Sequence, residues 1–171
     1  TYYKLGVRHM LMAYNAKNAV GDGCTERTDG GLTQFGIQLV EEMNRVGMMV
    51  DVSHTGYRTS MDVFEISPDP VVFSHANPLA LWDTYRNIRD DQIKACAKSG
   101  GVIGINGCGT FLGDNVTDTE TMLRHLDYLA ELVGPQHVGI GLDHVSDPMA
   151  LAIYMGANWG DTNFADPEQL P

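Results

Sequence analysis

The sequence predicts an α/β fold built on parallel strands, and three observations carry that prediction. Short runs at residues 48–52, 71–73 and 102–106 are apolar almost throughout and rich in β-branched or bulky side chains. Strands buried on both faces of a parallel sheet read this way. Between the runs lie longer segments whose apolar residues recur at helical spacing. The two kinds of segment alternate strictly, which implies parallel pairing through right-handed crossovers. Five strands are expected. A TIM-type (β/α)8 barrel takes ~250 residues, so five units in 171 residues are about the last five strands of such a barrel. A five-stranded open α/β sheet fits the same pattern, although no G-x-G-x-x-G or P-loop sequence offers it a nucleotide site.

Taken in order, residues 6–14 read as the first strand. Residues 15–31, full of Gly, Asp, Asn and Thr, form a long loop of the kind that is more often functional than short ones. Residues 32–46 make an amphipathic helix capped by Thr33, with Phe35, Ile37, Leu39, Val40, Met43 and Val46 on its apolar face and Gly47 at its C-terminus. The strand ending at His54 follows, then a helix over 58–66 that Ser67-Pro68-Asp69-Pro70 breaks. After the strand ending at His75 come a helical turn at 79–82, a helix over 90–99 with Ile93 and Ala97 facing inward, and the strand 102–106. Thr117 and Glu120 have capping-box spacing and open a helix with Leu123, Leu126, Leu129, Ala130 and Val133 on one face. The last strand, 137–142, ends at Asp143, and 144–171 is irregular apart from a short helix near 149–154.

Composition narrows the function. The chain carries 22 acidic and 11 basic side chains, a formal net charge of −11. That argues against phosphate-backbone binding, which needs clustered Lys and Arg, and against anionic membrane surfaces. No run approaches the ~18–20 apolar residues of a spanning helix. Cys24, Cys96 and Cys108 are an odd count without C-x-x-C spacing, so small buried thiols are expected rather than a disulfide framework. The compartment stays open, with the cytoplasm favoured. A single domain is expected, incomplete at both termini.

The chemistry concentrates at strand ends. Two apolar runs each close in Ser-His, at Ser53-His54 and Ser74-His75. In barrels of alternating strands and helices the reacting groups lie where strands end, so the two imidazoles fall side by side on one rim. Asp143 ends a third strand. Neutral imidazole and carboxylate are ligands for zinc-like metals, and such a metal can acidify a bound water into a nucleophile. One strand-end histidine is usually a hydrogen-bonded structural residue; two, with a carboxylate, shift the balance to metal. His9, His125 and His137 read as structural or solvated, and His144 as pointing to the opposite face from Asp143. Ser53 and Ser74 lack the G-x-S-x-G setting of a serine nucleophile.

Several segments resemble the membrane dipeptidase (renal dipeptidase) family of the amidohydrolase superfamily: DVSHTG at 51–56, PVVFSHANPLAL at 70–81, YRNIRDDQI at 85–93, GGVIGING at 100–107 and HVGIGLDHV at 137–145. The loop GDGCTERTDGGLTQFG at 21–36 is similar to bacterial members. The likeness runs in one order through about Asp147. It implies a (β/α)8 barrel with two zinc ions bridged by a carboxylate and a hydroxide, and hydrolysis of dipeptides by attack of that hydroxide on the scissile amide. By the same resemblance His54 and His75 hold one zinc, Asp143 attends the other zinc and the catalytic water, and Arg86, followed by Asn87, grips the substrate carboxylate. A guanidinium suits that task through two parallel hydrogen bonds. Without the resemblance Arg86 reads as a surface charge.

The chain also departs from the family pattern. A His-x-Asp pair and a bridging glutamate correspond to positions before Thr1. Tyr14 stands where many members have a substrate-binding histidine, and Asp143-His144-Val145-Ser146 replaces the usual Asp-Phe-Asp-Gly. The expectation is therefore a zinc dipeptidase acting on small dipeptides, with neither nucleic-acid nor evident membrane partners and a homodimer as the family's frequent assembly. Two alternatives stay open: a non-catalytic metal- or ligand-binding relative, and an amidase or lactonase of the same superfamily.

Overall fold

The computed structural model describes residues 2–144. Five short strands, β1 (His9–Leu11), β2 (Met49–Asp51), β3 (Val71–Val72), β4 (Ile103–Ile105) and β5 (Val138–Ile140), lie side by side in chain order. The β1–β2, β2–β3 and β4–β5 pairs are parallel, and a parallel bridge from Phe73 to Ile103 links β3 to β4. Between them run α1 (Gln34–Val46), α2 (Tyr57–Ile66), α3 (Asp90–Lys98), the four-residue α4 (Gly109–Leu112) and α5 (Thr119–Val133). Helices α1, α2, α3 and α5 pack successively against one another. This is the expected alternating α/β fold with parallel strands; among the described residues the sheet does not close into a barrel. No helix among them is long and apolar enough to cross a membrane.

The core lies between sheet and helices. Val50, Val52, Val71, Phe73, Ile103 and Ile105 of the strand segments meet Val40, Met43, Val63, Ile93, Cys96 and Leu129 of the helices, all of them buried. Burying each such side chain removes its apolar surface from water and contributes about 1.5–3 kcal/mol. The central strands follow the apolar reading, but the flanks do not: Ile140 of β5 is 62% exposed. Among the described residues β5 pairs on one side only, and a strand so placed keeps part of its surface in solvent.

Several expectations shift. The first strand shrinks from 6–14 to three residues, because only those pair with β2. Thr33 does cap α1, its hydroxyl accepting from the Gly36 amide at 3.0 Å, so the helix starts at Gln34. Phe35 is 55% exposed rather than on the buried face, since Gly36, Val40 and Met43 take the inward positions. The helical turn expected at 79–82 is a single turn, in which Leu81 and Trp82 both donate their amides to the Pro78 carbonyl. In α3 Cys96 joins Ile93 in the core and Ala97 is half-buried. Asp118, not Thr117, caps α5, accepting from the Thr121 amide at 2.7 Å. Thr121, His125 and Leu129 turn inward at i, i+4 and i+8, and Leu123 is 46% exposed. The short helix expected near 149–154 lies outside the described residues.

Candidate metal and substrate site at the strand ends

Strand register places the site. Val50 lies opposite Val71 and Asp51 opposite Val72, an offset of 21 residues. Continued past the strand ends, that offset sets Ser53 level with Ser74 and His54 level with His75. His9 lies opposite Met49, and the same continuation sets Tyr14 level with His54. The rim therefore carries a row of three rings. The phenol of Tyr14 stacks on His54 at 4.0 Å between centroids, and the two imidazoles meet edge to face at 4.9 Å. Their Nε2 atoms are 2.8 Å apart.

What faces the two Nδ1 atoms fixes what the Nε2 atoms carry. His54 Nδ1 is 2.6 Å from Asn15 Oδ1, an oxygen that also accepts from the Cys24 thiol at 3.4 Å. An amide oxygen only accepts, so His54 donates from Nδ1 and its Nε2 is a bare lone pair. His75 Nδ1 is 2.7 Å from Ser74 Oγ, and Ser74 Oγ is in turn 2.5 Å from Asp51 Oδ2. A carboxylate also only accepts, so the serine gives its one proton to Asp51 and takes a hydrogen bond from His75 Nδ1. Both Nε2 lone pairs thus point into the same small space, and no proton is left to lie between them. A metal cation fits such a pair of neutral imidazole donors.

Electrostatics keep both rings neutral. Burial, then the Arg86 guanidinium, then His75, push His54 down to about 2. Burial also lowers His75, opposed by the nearby charge of Asp143. The metal-ligating form of each ring is therefore the one present at neutral pH.

Local backbone supports the placement. Asn15, His54 and Asp143 have φ of 56°, 63° and 59°, three of the five non-glycine residues with positive φ among those described. That region costs an L-residue roughly 1–2 kcal/mol, and such residues gather at functional sites. The loop 15–31 folds tightly back over the rim. Cys24 donates its amide to the His54 carbonyl, and Thr25 donates both amide and hydroxyl to the Asn15 carbonyl. Gly23 permits this close approach, since a Cβ there would sit 1.9 Å from Asn15 O.

Arg86 is not a surface charge. It is 4% exposed, donates from Nη2 to the His75 carbonyl at 3.3 Å, and leaves its buried Nε without a partner among the described residues. Burial lowers its pKa, while nearby Cys24, Asp143, Tyr14 and Tyr85 favour its charge. It lines a cavity of about 280 Å³ that His54, Cys24, Tyr57, Tyr85 and Arg89 share. Asn87 lines it too, but its amide protons go to the carbonyls of Trp82 and Phe111 at 2.8 and 2.9 Å, fastening the loop that carries Arg86. Asp143 accepts from Asn106 Nδ2 at 3.2 Å, and its charge acts on His75, Tyr14 and Arg86. Among the described residues no three His, Cys, Asp or Glu side chains converge as a metal-binding group, so His54 and His75 stand as a pair.

Sequence reasoning missed Asn15, Asp51 and Asn106. Asp51 had a signal: a charge inside the apolar run 48–52 has to be paired when buried. His125 and His137 are structural. His125 is buried in α5 with Nε2 on the Leu112 carbonyl at 2.8 Å, and His137 Nδ1 meets the Gly101 carbonyl at 2.8 Å.

Comparison with known proteins agrees in one direction. A family model described as membrane dipeptidase, peptidase family M19, matches residues 1–153. An uncharacterized dipeptidase of Schizosaccharomyces pombe is 36% identical over 149 residues, covering 83% of this chain and 36% of the relative. Dipeptidase verJ of Clonostachys rogersoniana is 36% identical over 143 residues, covering 82% and 37%. Among solved structures, an amidohydrolase from Pseudomonas aeruginosa superposes with a TM-score of 0.84 at 35% identity, covering 96% of this chain and 52% of that one. A metallopeptidase from Rhodobacter sphaeroides, solved with a phosphinate mimic of the dipeptide L-Ala-D-Ala, gives 0.78 at 29% identity, covering 97% and 54%. The chain thus spans little more than a third of those two relatives and about half of each solved structure.

Proposed function

The chain belongs to the membrane dipeptidase family, and from that premise we propose that the whole protein is a zinc-dependent dipeptidase. Its five strands are then part of a (β/α)8 barrel. The observation that carries the reading is the pair of Nε2 lone pairs, 2.8 Å apart, beside a cavity that holds a buried guanidinium. His54 and His75 hold one metal ion, and a second ion is expected in the complete protein. When bound, the metal supplies a water acidified enough to act as a nucleophile near neutral pH.

The chain's own residues do the rest. Arg86 binds the free carboxylate of a small dipeptide, using the guanidinium edge that includes its Nε, which has no partner among the described residues. Asp143, steadied by Asn106, orients the attacking water and accepts its proton. Tyr14, stacked on His54, keeps that ring flat against the rim and offers a hydroxyl toward substrate. Burial, then the Asp143 charge, raise the Tyr14 pKa, so this hydroxyl serves as a donor. The test is metal content together with hydrolysis of a dipeptide panel by the full-length protein. About two zinc ions per chain with turnover is the expected result. Metal without turnover of any dipeptide points to an amide or lactone substrate, and absence of tightly bound metal overturns the reading.

A further inference from the structure

Asp51 is a buried carboxylate within an otherwise apolar strand, and every acceptor position on it is taken. Oδ1 accepts the amides of Ser53 at 2.9 Å and Ser74 at 3.2 Å. Oδ2 accepts the Ser74 hydroxyl at 2.5 Å and faces His9 Nε2 at 3.0 Å. Four donors offset the cost of burying the charge. They also fix its direction: Oδ1 is pinned by two backbone donors that cannot turn away, so Oδ2 must face the serine. Ser53 Oγ completes the frame, accepting the His75 amide at 3.2 Å.

We propose that Asp51 is a positioning residue for His75, acting through the Ser74 hydroxyl to fix which ring nitrogen carries the proton. The inference rests on His75 being a metal ligand. Because the carboxylate demands the serine proton, Ser74 Oγ has only lone pairs to offer His75 Nδ1. The ring is then protonated at Nδ1 and open at Nε2. Outer partners of metal-bound histidines act in this way and also raise the basicity of the ring.

Substitution Asp51→Asn isolates the effect. The two backbone amides keep the remaining oxygen where Oδ1 was, which turns the new NH2 group toward Ser74 Oγ and His9. The half-exposed His9 can accept by changing tautomer. Ser74 now receives a proton from the amide and turns its own toward His75 Nδ1. That forces the His75 proton onto Nε2, where it blocks the lone pair that faces His54.

The experiment uses the full-length protein and its Asp51→Asn, Ser74→Ala and Ser74→Thr variants. Zinc affinity is measured by competition with a chromophoric chelator, and the His75 tautomer by nitrogen NMR of the chelator-stripped protein. Affinity is expected to fall about 10- to 100-fold in Asp51→Asn and Ser74→Ala, with the His75 proton moved to Nε2 in the first. Ser74→Thr keeps the Oγ and should stay near the parent in both readouts. Unchanged affinity in Asp51→Asn overturns the inference while leaving the metal assignment intact. So does lost affinity with His75 still protonated at Nδ1, because the effect then does not pass through the proton. A parent that binds no zinc defeats the metal assignment instead, and the tautomer readout still decides whether Asp51 sets the proton.

Discussion

The segments 51–54 and 72–75 look alike in sequence, each an apolar strand end closing in Ser-His, yet the protein holds their histidines by different means. His75 is tied to the sheet: its Nδ1 rests on Ser74, which rests on Asp51 inside β2. His54 is tied to a loop: its Nδ1 rests on Asn15, 39 residues away, in a backbone of positive φ at both residues. One imidazole is therefore positioned by the core and backed by a carboxylate. The other depends on how the loop 15–31 folds over the rim and is backed by a neutral amide. Equivalent positions in a parallel sheet need not be equally robust.

The coarsest way to break the comparison is to remove each ring. His54→Ala and His75→Ala in the full-length protein should each cut zinc retention and dipeptide turnover by more than about 100-fold, beyond what loss of an outer partner costs. If either variant keeps parental zinc and turnover, the two rings are not partners at one metal. Next in size is Arg86→Lys, which retains charge but loses the planar fork. kcat/KM for free dipeptides should fall on the order of 10- to 100-fold, corresponding to about 1.5–3 kcal/mol for hydrogen bonds to a charged group. The loss should vanish with dipeptide amides, which have no carboxylate; equal loss on both substrates would contradict the role.

The comparison is sharpened by Asn15→Gly, which keeps a residue at ease with positive φ but removes the oxygen that orients His54. Zinc affinity should drop about 10-fold, with the His75 tautomer unchanged in nitrogen NMR. A change at His75 would mean that the two supports are coupled. The smallest effect lies far from the rim, at His125. Burial holds its pKa below the ordinary 6.5, so the unfolded chain takes up a proton there that the native protein refuses. Its contribution to stability is complete above pH 6.5 and is lost as the pH falls below it, by at most about 1.4 kcal/mol per pH unit. Denaturant melts of His125→Gln against the parent between pH 7 and 5 should show a shallower decline for the variant.

How much of this was legible in the sequence follows the same division. The strand ends at His54 and His75 could be read directly, because buried parallel strands declare themselves as apolar runs. That the two rings lie side by side could be read as well, since both close successive parallel strands; the pairing register that sets them level could not, since it depends on pairing across the chain. Asp51 was visible as a charge in an apolar run, but its partner Ser74 was not. Asn15 was invisible, one polar residue among many in a loop whose fold is set by long-range contacts. Arg86 stood out only through the family resemblance; composition and spacing alone make it a surface charge, because burial of a guanidinium is a tertiary property. Helix α5 was predicted in extent, but it is capped by Asp118 rather than Thr117, and its buried face runs through His125 rather than Leu123, because packing decides which face is buried.

Anomalous scattering from zinc in crystals of the full-length protein tests the central claim most directly. A peak within bonding distance of both His54 Nε2 and His75 Nε2, about 2.0–2.1 Å from each, is the predicted result. Zinc held elsewhere, with neither His54 Nε2 nor His75 Nε2 within bonding distance of it, would contradict it.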